Sequence, residues 1–210
     1  MTLAIANRFP SVHIQNQVVQ HSINWNVDES PMTMLMCDLV GSTQLATSLT
    51  IEDFGQLLLD YYAVCFSEIE KEEGRVLRYV GDCVLGLFDN DEKPQRLAEQ
   101  AIRASIALRD QVAKMPTVSK LPFNTRLAVR ISVVSGVGVR ASLYGSIYTK
   151  QEVVFGQIPF LADRLKEWTE PNNIIINEQT AHLVHEHYCL DKLGIKQLKG
   201  FPEDVMAWRV

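Results

Sequence analysis

Two aspartates, Asp38 and Asp82, combine residue type and spacing in a way that could support chemistry. Asp38 follows the apolar run 34–37 and precedes a glycine and two hydroxyl residues, as expected where a strand ends at a phosphate. Asp82 follows Gly81 between runs 75–80 and 83–88, a pattern typical of a β-hairpin. Divalent cations in nucleotide sites are held by one or two carboxylates together with substrate phosphates. The two motifs therefore predict a two-carboxylate site for Mg²⁺ or Mn²⁺.

Each aspartate also has an ordinary structural explanation. Asp38 could cap the helix that follows its strand, and Asp82 could serve only as the turn residue of the hairpin, because aspartate favours both places. Taken singly, each residue leaves this alternative open. The stronger argument comes from the surroundings of the two residues together.

The two motifs resemble those of the class III nucleotidyl cyclase domain, the catalytic module of adenylyl and guanylyl cyclases. In that family a strand ends in Asp, then a hydrophobic pair, Gly and Ser or Thr, and a Gly-Asp hairpin follows at a spacing that the 44 residues here match. Similarity continues through Gly156–Leu165 and Leu198–Phe201. The resemblance covers about residues 32–210, which we interpret as the catalytic domain, with residues 1–31 as an N-terminal arm.

The resemblance implies an α+β fold with a ferredoxin-like βαββαβ core and C-terminal αβ additions. Sequence patterns agree with that order of elements. They predict strands at 33–39, 127–134, 174–177 and 205–210, a hairpin at 75–88, and helices at 51–72, 94–115, 158–169 and 178–186.

The resemblance also implies a mechanism, that of a phosphorus-oxygen lyase. The ribose 3′-hydroxyl, activated by one of two Mn²⁺ or Mg²⁺ ions per site, attacks the α-phosphate and gives a 3′,5′-cyclic monophosphate and pyrophosphate. Asp38 and Asp82 would hold the metals, with the carbonyl of Leu39 as a further ligand.

The remaining residues carried over from the family concern the phosphates and the partner subunit. Family members are antiparallel dimers with shared active sites, so this chain is expected to form a homodimer. Arg164, from the partner, would stabilise charge on the phosphoryl oxygens, and Lys199 would neutralise the terminal phosphates. Gly41, Ser42 and Thr43 would present amides to the triphosphate. A surface helix arginine and an ordinary turn lysine remain the alternatives for Arg164 and Lys199.

Three positions depart from the family pattern, and all three concern the base. Phe160 replaces an Asn, Val153 replaces a purine-reading Asp or Thr, and Arg78 replaces the Lys of adenylyl cyclases. Without these hydrogen-bonding groups, the site loses the interactions that discriminate most strongly between substrates. Arg78 only donates hydrogen bonds, which favours a base rich in carbonyl oxygens. We therefore rank UTP first, CTP second and GTP third.

With this ranking, the chain resembles the stand-alone bacterial pyrimidine cyclases, a subgroup of the family that makes cyclic UMP or cyclic CMP as antiphage signals for a downstream effector. The chain is thus expected to be a uridylate or cytidylate cyclase. Ordinary packing of Phe160 and Val153 in a purine cyclase, using GTP or ATP, is one alternative. A non-catalytic nucleotide-binding dimer of the same fold is another.

Composition excludes other partners. A net charge of −5, with basic residues spread along the chain, gives no field for a nucleic-acid backbone. No apolar run approaches the roughly 20 residues of a membrane span. We expect no nucleic acid, no membrane and a cytoplasmic location.

Overall fold

The computed structural model describes residues 23–24, 29–115, 126–144, 150–201 and 204–210. Its strands are β1 (Ile23–Asn24), β2 (Glu29–Leu39), β3 (Arg75–Val80), β4 (Cys83–Phe88), β5 (Val129–Tyr144), β6 (Lys150–Phe155), β7 (Ile174–Asn177), β8 (Asp191–Lys196) and β9 (Val205–Arg209). Its helices are α1 (Ser42–Ser48), α2 (Ile51–Lys71), α3 (Pro94–Val112), α4 (Ile158–Glu167) and α5 (Glu178–Val184).

The strands form one sheet in the order β3-β4-β2-β5-β7-β9-β8, with β1 and β6 both paired to β5. The first four strands in that order are antiparallel to their neighbours, and they are joined as β2-α2-β3-β4-α3-β5. This connection is the ferredoxin-like βαββαβ unit, so the predicted α+β fold is confirmed. Strand β7 then joins β5 in parallel and begins the C-terminal addition.

Alternation along β2 gives the sheet two different faces. Cys37 and Leu39 belong to a buried cluster with residues of α2 and α3, and we name this side the helix face. Met34 and Met36 belong to a second cluster with Ala162 of α4, and we name this side the site face. Because Asp38 lies between Cys37 and Leu39, strand geometry turns its side chain toward the site face.

Helix α2 fixes the distance between the two aspartate motifs. Its first turn is capped by Thr50, whose side chain accepts a hydrogen bond from the Asp53 amide at 3.2 Å. Tyr61 and Ile69 are fully buried on the helix face. The helix therefore packs across the sheet and delivers the chain to β3, which is separated from β2 by β4.

Some elements are longer than the sequence predicted. Strand β5 continues ten residues past the predicted end at Val134, through Gly136 and Gly138. A side chain at Gly138 would place its Cβ 2.8 Å from the Sδ of Met32. Glycine therefore permits the close approach of β2 here, although glycine usually weakens a strand prediction.

Most of the predicted arm, residues 1–31, lies outside the described residues. Within it, Ile23 and Asn24 pair with β5, and residues 29–31 begin β2, which starts four residues earlier than predicted. Strands β6 and β8 and helix α1 were not predicted. None of the described helices has both the length and the apolar character needed to cross a membrane.

Candidate active site

The two predicted aspartates lie together at one end of the site face. The backbone amide of Leu39 donates a hydrogen bond to Oδ2 of Asp82 at 3.2 Å, which ties the β3-β4 turn to the end of β2. The pKa of Asp38 is raised, chiefly by burial and further by the neighbouring carboxylate of Asp82. The structure thus brings together two carboxylates that are 44 residues apart in the sequence.

The β3-β4 turn that carries Asp82 is held from the helix face. Gly81 has a positive φ of 58°, the left-handed conformation that favours glycine. The hydroxyl of Tyr62 on α2 donates a hydrogen bond to the carbonyl of Gly81. The rings of Tyr62 and Tyr79 lie 4.6 Å apart between centroids. These contacts hold the turn, and with it Asp82, from the helix face.

Two cationic side chains approach Asp38, and both were missed by the sequence reasoning. Lys166 on α4 has a side chain only 14% exposed, and its Nζ lies 3.5 Å from Oδ1 of Asp163. Arg130 is directly opposite Asp38 in the β2-β5 register, so the two residues share the site face. Both cations act against the rise in the pKa of Asp38. Helical spacing was the available signal for Lys166, since it lies four residues after the buried Ala162.

The donor set suits a hard divalent cation. Asp38 and Asp82 supply carboxylate oxygens. The peptide group between Asp38 and Leu39 is held by the hydrogen bond from the Leu39 N–H to Asp82. Among the residues with described structure, no group of three or more His, Cys, Asp or Glu side chains forms a metal cage. A site with two protein carboxylates is typical of Mg²⁺ bound with substrate phosphates. The carbonyl of Leu39 remains a predicted further ligand.

Lys166 should set the ionisation range of Asp38. Replacing it with methionine removes a nearby positive charge, so the pKa of Asp38, already raised by burial, should rise further. During acidification, Asp38 would then become protonated at a higher pH. Carboxyl ¹³C NMR titration of metal-free protein checks this. Lys71→Met, at a lysine of α2 whose side chain is 62% exposed, is the control and should leave the Asp38 titration unchanged. An unchanged titration in Lys166→Met would contradict the prediction.

Arg78 and Val153, the predicted base-facing residues, line one cavity of about 170 Å³ on the site face. The cavity is lined by Met34, Leu77, Arg78, Leu85, Glu152, Val153, Val154 and Pro159. Its wall is therefore mostly apolar, as the replacement by Val153 suggested. It also contains a carboxylate, Glu152, that the sequence reasoning did not identify because β6 was not predicted.

A β-bulge brings Arg78 to this cavity. The β3-β4 pairing passes directly from Val76, opposite Gly86, to Arg78, opposite Leu85, so Leu77 has no partner in the ladder. In a regular strand Arg75 and Arg78, three residues apart, would face opposite sides. The extra residue puts both on the site face, where Leu77 also packs.

The other predicted residues occupy separate positions. Arg164 on α4 donates a hydrogen bond to Glu167 at 2.9 Å at the surface. Phe160 is 70% exposed at the start of the same helix and does not line the cavity. Lys199 is exposed in the turn between β8 and β9.

The predicted triphosphate loop follows Asp38 directly. Gly41 has a φ of 74° and precedes α1, which begins at Ser42 and Thr43. Residues 41–43 therefore follow Asp38 closely, between the end of β2 and the first turn of α1.

Comparison with known proteins identifies the family to which the chain is similar. The family described as the adenylate and guanylate cyclase catalytic domain matches residues 27–210. An adenylate cyclase of Anabaena cylindrica is 25% identical over 217 residues, covering 98% of this chain and 41% of that protein. An uncharacterized protein of Rhizobium meliloti is 29% identical over 178 residues, covering 85% of this chain and 17% of that protein. The chain thus spans less than half the length of these two relatives.

Solved structures show the same fold. The adenylyl cyclase CyaB from P. aeruginosa has a TM-score of 0.77 at 24% identity, covering 88% of this chain and 95% of that one. The guanylate cyclase domain of RhGC from Catenaria anguillulae, in complex with GTP, has a TM-score of 0.77 at 16% identity, covering 87% and 97%. A dimeric guanylyl cyclase domain from Blastocladiella emersonii has a TM-score of 0.75 at 17% identity, covering 87% and 97%. With nearly its whole length matched, the chain belongs to the family of adenylate and guanylate cyclase catalytic domains.

Proposed function

We propose that this chain is a metal-dependent nucleotidyl cyclase that converts a pyrimidine nucleoside triphosphate, UTP first and CTP second, to its 3′,5′-cyclic monophosphate and pyrophosphate. The observation that carries the proposal is the Asp38–Asp82 pair, joined through the Leu39 amide, in a chain of this family. A decayed, purely structural domain would have no reason to keep two carboxylates side by side, since the Asp82 carboxylate raises the cost of ionising Asp38.

The chain's own residues would perform binding, orientation and charge stabilisation. Asp38 and Asp82 would hold Mg²⁺ or Mn²⁺, which when bound supplies activation of the attacking hydroxyl and charge neutralisation at phosphorus. The amides at Gly41, Ser42 and Thr43 would bind phosphate oxygens. Lys199 would reach the terminal phosphates. The ribose 3′-oxygen forms a bond to the α-phosphorus as the bond to the pyrophosphate oxygen breaks.

A homodimer with shared sites would complete this centre. Arg164 pairs with Glu167 at the surface of its own chain, so a partner's site is where its guanidinium could stabilise phosphoryl charge. Phe160, which is 70% exposed one turn before Arg164 on α4, favours burial against another molecule. A second chain is the proposed partner because the family's mechanism needs one.

The pyrimidine assignment rests on the cavity wall. Val153 offers no hydrogen bond, and Arg78 shares its cavity and donates. The cyclic product would act as a signal in bacterial antiphage defence through a downstream effector. A purine cyclase is the second candidate, favoured by the similarity to an adenylate cyclase and to GTP-bound RhGC.

The test offers the purified chain ATP, GTP, CTP and UTP separately with Mn²⁺ and identifies products by mass. Cyclic UMP or cyclic CMP as the main product is the expected result. A cyclic purine would overturn the pyrimidine assignment while keeping the metal site, and the absence of any cyclic product would overturn cyclase activity of the chain by itself.

A further inference from the structure

A carboxylate stands in the cavity that Arg78 and Val153 line. Glu152 precedes Val153 on β6, and strand alternation gives Glu152 the same face as Val154. Val154 is 8% exposed and belongs to the buried cluster of the site face. The side chain of Glu152 is 30% exposed, so it is accessible to a bound molecule. Sequence comparison with the family pattern points to the neighbouring position, Val153, and so passes over this residue.

Glu152 is held in place by a chain of ion pairs. Nη1 of Arg75 on β3 contacts Oε2 of Glu152, and Nη2 of Arg75 lies 3.0 Å from Oδ2 of Asp89. Nη1 of Arg140 on β5 lies 2.9 Å from the same oxygen of Asp89, whose side chain is 5% exposed. Glu152 is therefore anchored, through Arg75, to a buried carboxylate rather than moving freely at the surface.

The residues that line the cavity thus include both a hydrogen-bond donor and an acceptor. Arg78 donates only, whereas ionised Glu152 accepts only, and a carboxylate has about four acceptor positions, so its contact with Arg75 is compatible with a further N–H. The pairing edge of uracil presents a carbonyl, an N–H and a second carbonyl. Cytosine lacks that N–H at ring position 3 and has an unprotonated nitrogen there, which a carboxylate repels.

We infer that Glu152 is a specificity-determining residue that accepts the uracil N3–H while Arg78 donates to the adjacent carbonyl. This inference rests on the proposed cyclase function and names its base. Arg75 is a positioning residue that orients Glu152.

The experiment compares the parent chain with Glu152→Gln and with Glu178→Gln, a matched change on α5 outside the cavity. For each chain, kcat/KM is measured with UTP and CTP, alongside the melting temperature. A glutamine amide can donate to the ring nitrogen of cytosine, and a lost charged hydrogen bond corresponds to about 10–150-fold. The expected result is a fall of that size in the UTP-to-CTP ratio for Glu152→Gln and no change in the ratio for Glu178→Gln.

Three outcomes would overturn the inference. They are an unchanged ratio, an equal loss with both nucleotides together with a lowered melting temperature, and a parent chain that prefers a purine. Equilibrium binding of non-reactive UTP and CTP analogues to the same variants gives a readout without turnover. A parent chain that binds the UTP analogue selectively, loses this selectivity in Glu152→Gln and forms no product would support the inference while overturning the proposed function.

Discussion

Replacing Asp82 with asparagine should abolish most cyclic nucleotide formation and leave the fold at least as stable as before. Asparagine keeps an oxygen that can accept the hydrogen bond from the Leu39 amide, but it removes the negative charge of a proposed metal ligand. We expect a loss of about 10²–10³-fold or more in kcat, the scale for removing one group that stabilises transition-state charge. Product formation by mass spectrometry and thermal unfolding of metal-free protein are the two measurements.

The expected effect of the Asp82 substitution on fold stability follows from the pKa of Asp38. Burial raises that pKa first, and the Asp82 carboxylate raises it further, so two ionised carboxylates oppose each other at neutral pH. An acid whose pKa is raised by folding contributes more stability as the pH falls through that raised pKa. Asparagine at position 82 should therefore raise the melting temperature at pH 7 more than at low pH. Asp60→Asn, on the exposed side of α2, is the control and should change neither activity nor this pH dependence. Retained activity in the Asp82 variant would show that the reaction does not require the aspartate pair.

Mixing two inactive variants should restore activity if the sites are shared between chains. Asp82→Asn damages the site that uses its own aspartates, whereas Arg164→Ala damages the site in the partner. A mixed dimer then contains one doubly damaged site and one intact site. With random assortment, half of the dimers are mixed and half of their sites are intact, so about a quarter of the parent activity should return.

The control for this mixture uses two variants that damage the same side of the site. Asp38→Asn mixed with Asp82→Asn leaves no intact site in any dimer, so no activity should return. Subunit exchange is verified by native mass spectrometry with a size-tagged chain. If mixed dimers of the Asp82 and Arg164 variants form and stay inactive, Arg164 does not act across the dimer.

The residues with regular patterns were predictable from the sequence, and the departures from regularity were not. Helix α2 was predicted within one residue of its observed end because apolar residues recur along it at helical spacing. The predicted strand 174–177 coincides with the observed β7. Its three consecutive isoleucines gave a clear apolar pattern, and all four residues of the strand are buried. The short strand β6 carries Lys150, Gln151 and Glu152 before its apolar residues, so no alternation revealed it. Glu152 was missed for that reason.

The positions of charged side chains near the aspartates depended on packing between distant elements. Lys166 approaches Asp38 because α4 covers the site face. Helical spacing after Ala162 indicates the side of α4 on which Lys166 lies, but not the face of the sheet on which α4 packs. Arg75 and Arg78 share a face only because of the bulge at Leu77. Period-two reasoning places them on opposite faces, so the composition of the cavity wall could not be read from β3 by itself.

The bulge has a consequence for the size of the cavity that Arg78 lines. Val76 and Arg78 pair with Gly86 and Leu85, which are consecutive in β4, so a chain shortened by Leu77 alone would keep every remaining β3-β4 partner. Such a deletion would remove one apolar side chain from the cavity wall while leaving Arg78 opposite Leu85 and Asp82 in its turn. Loss of this one residue would therefore widen the cavity toward the size of a larger base without displacing Asp38 or Asp82.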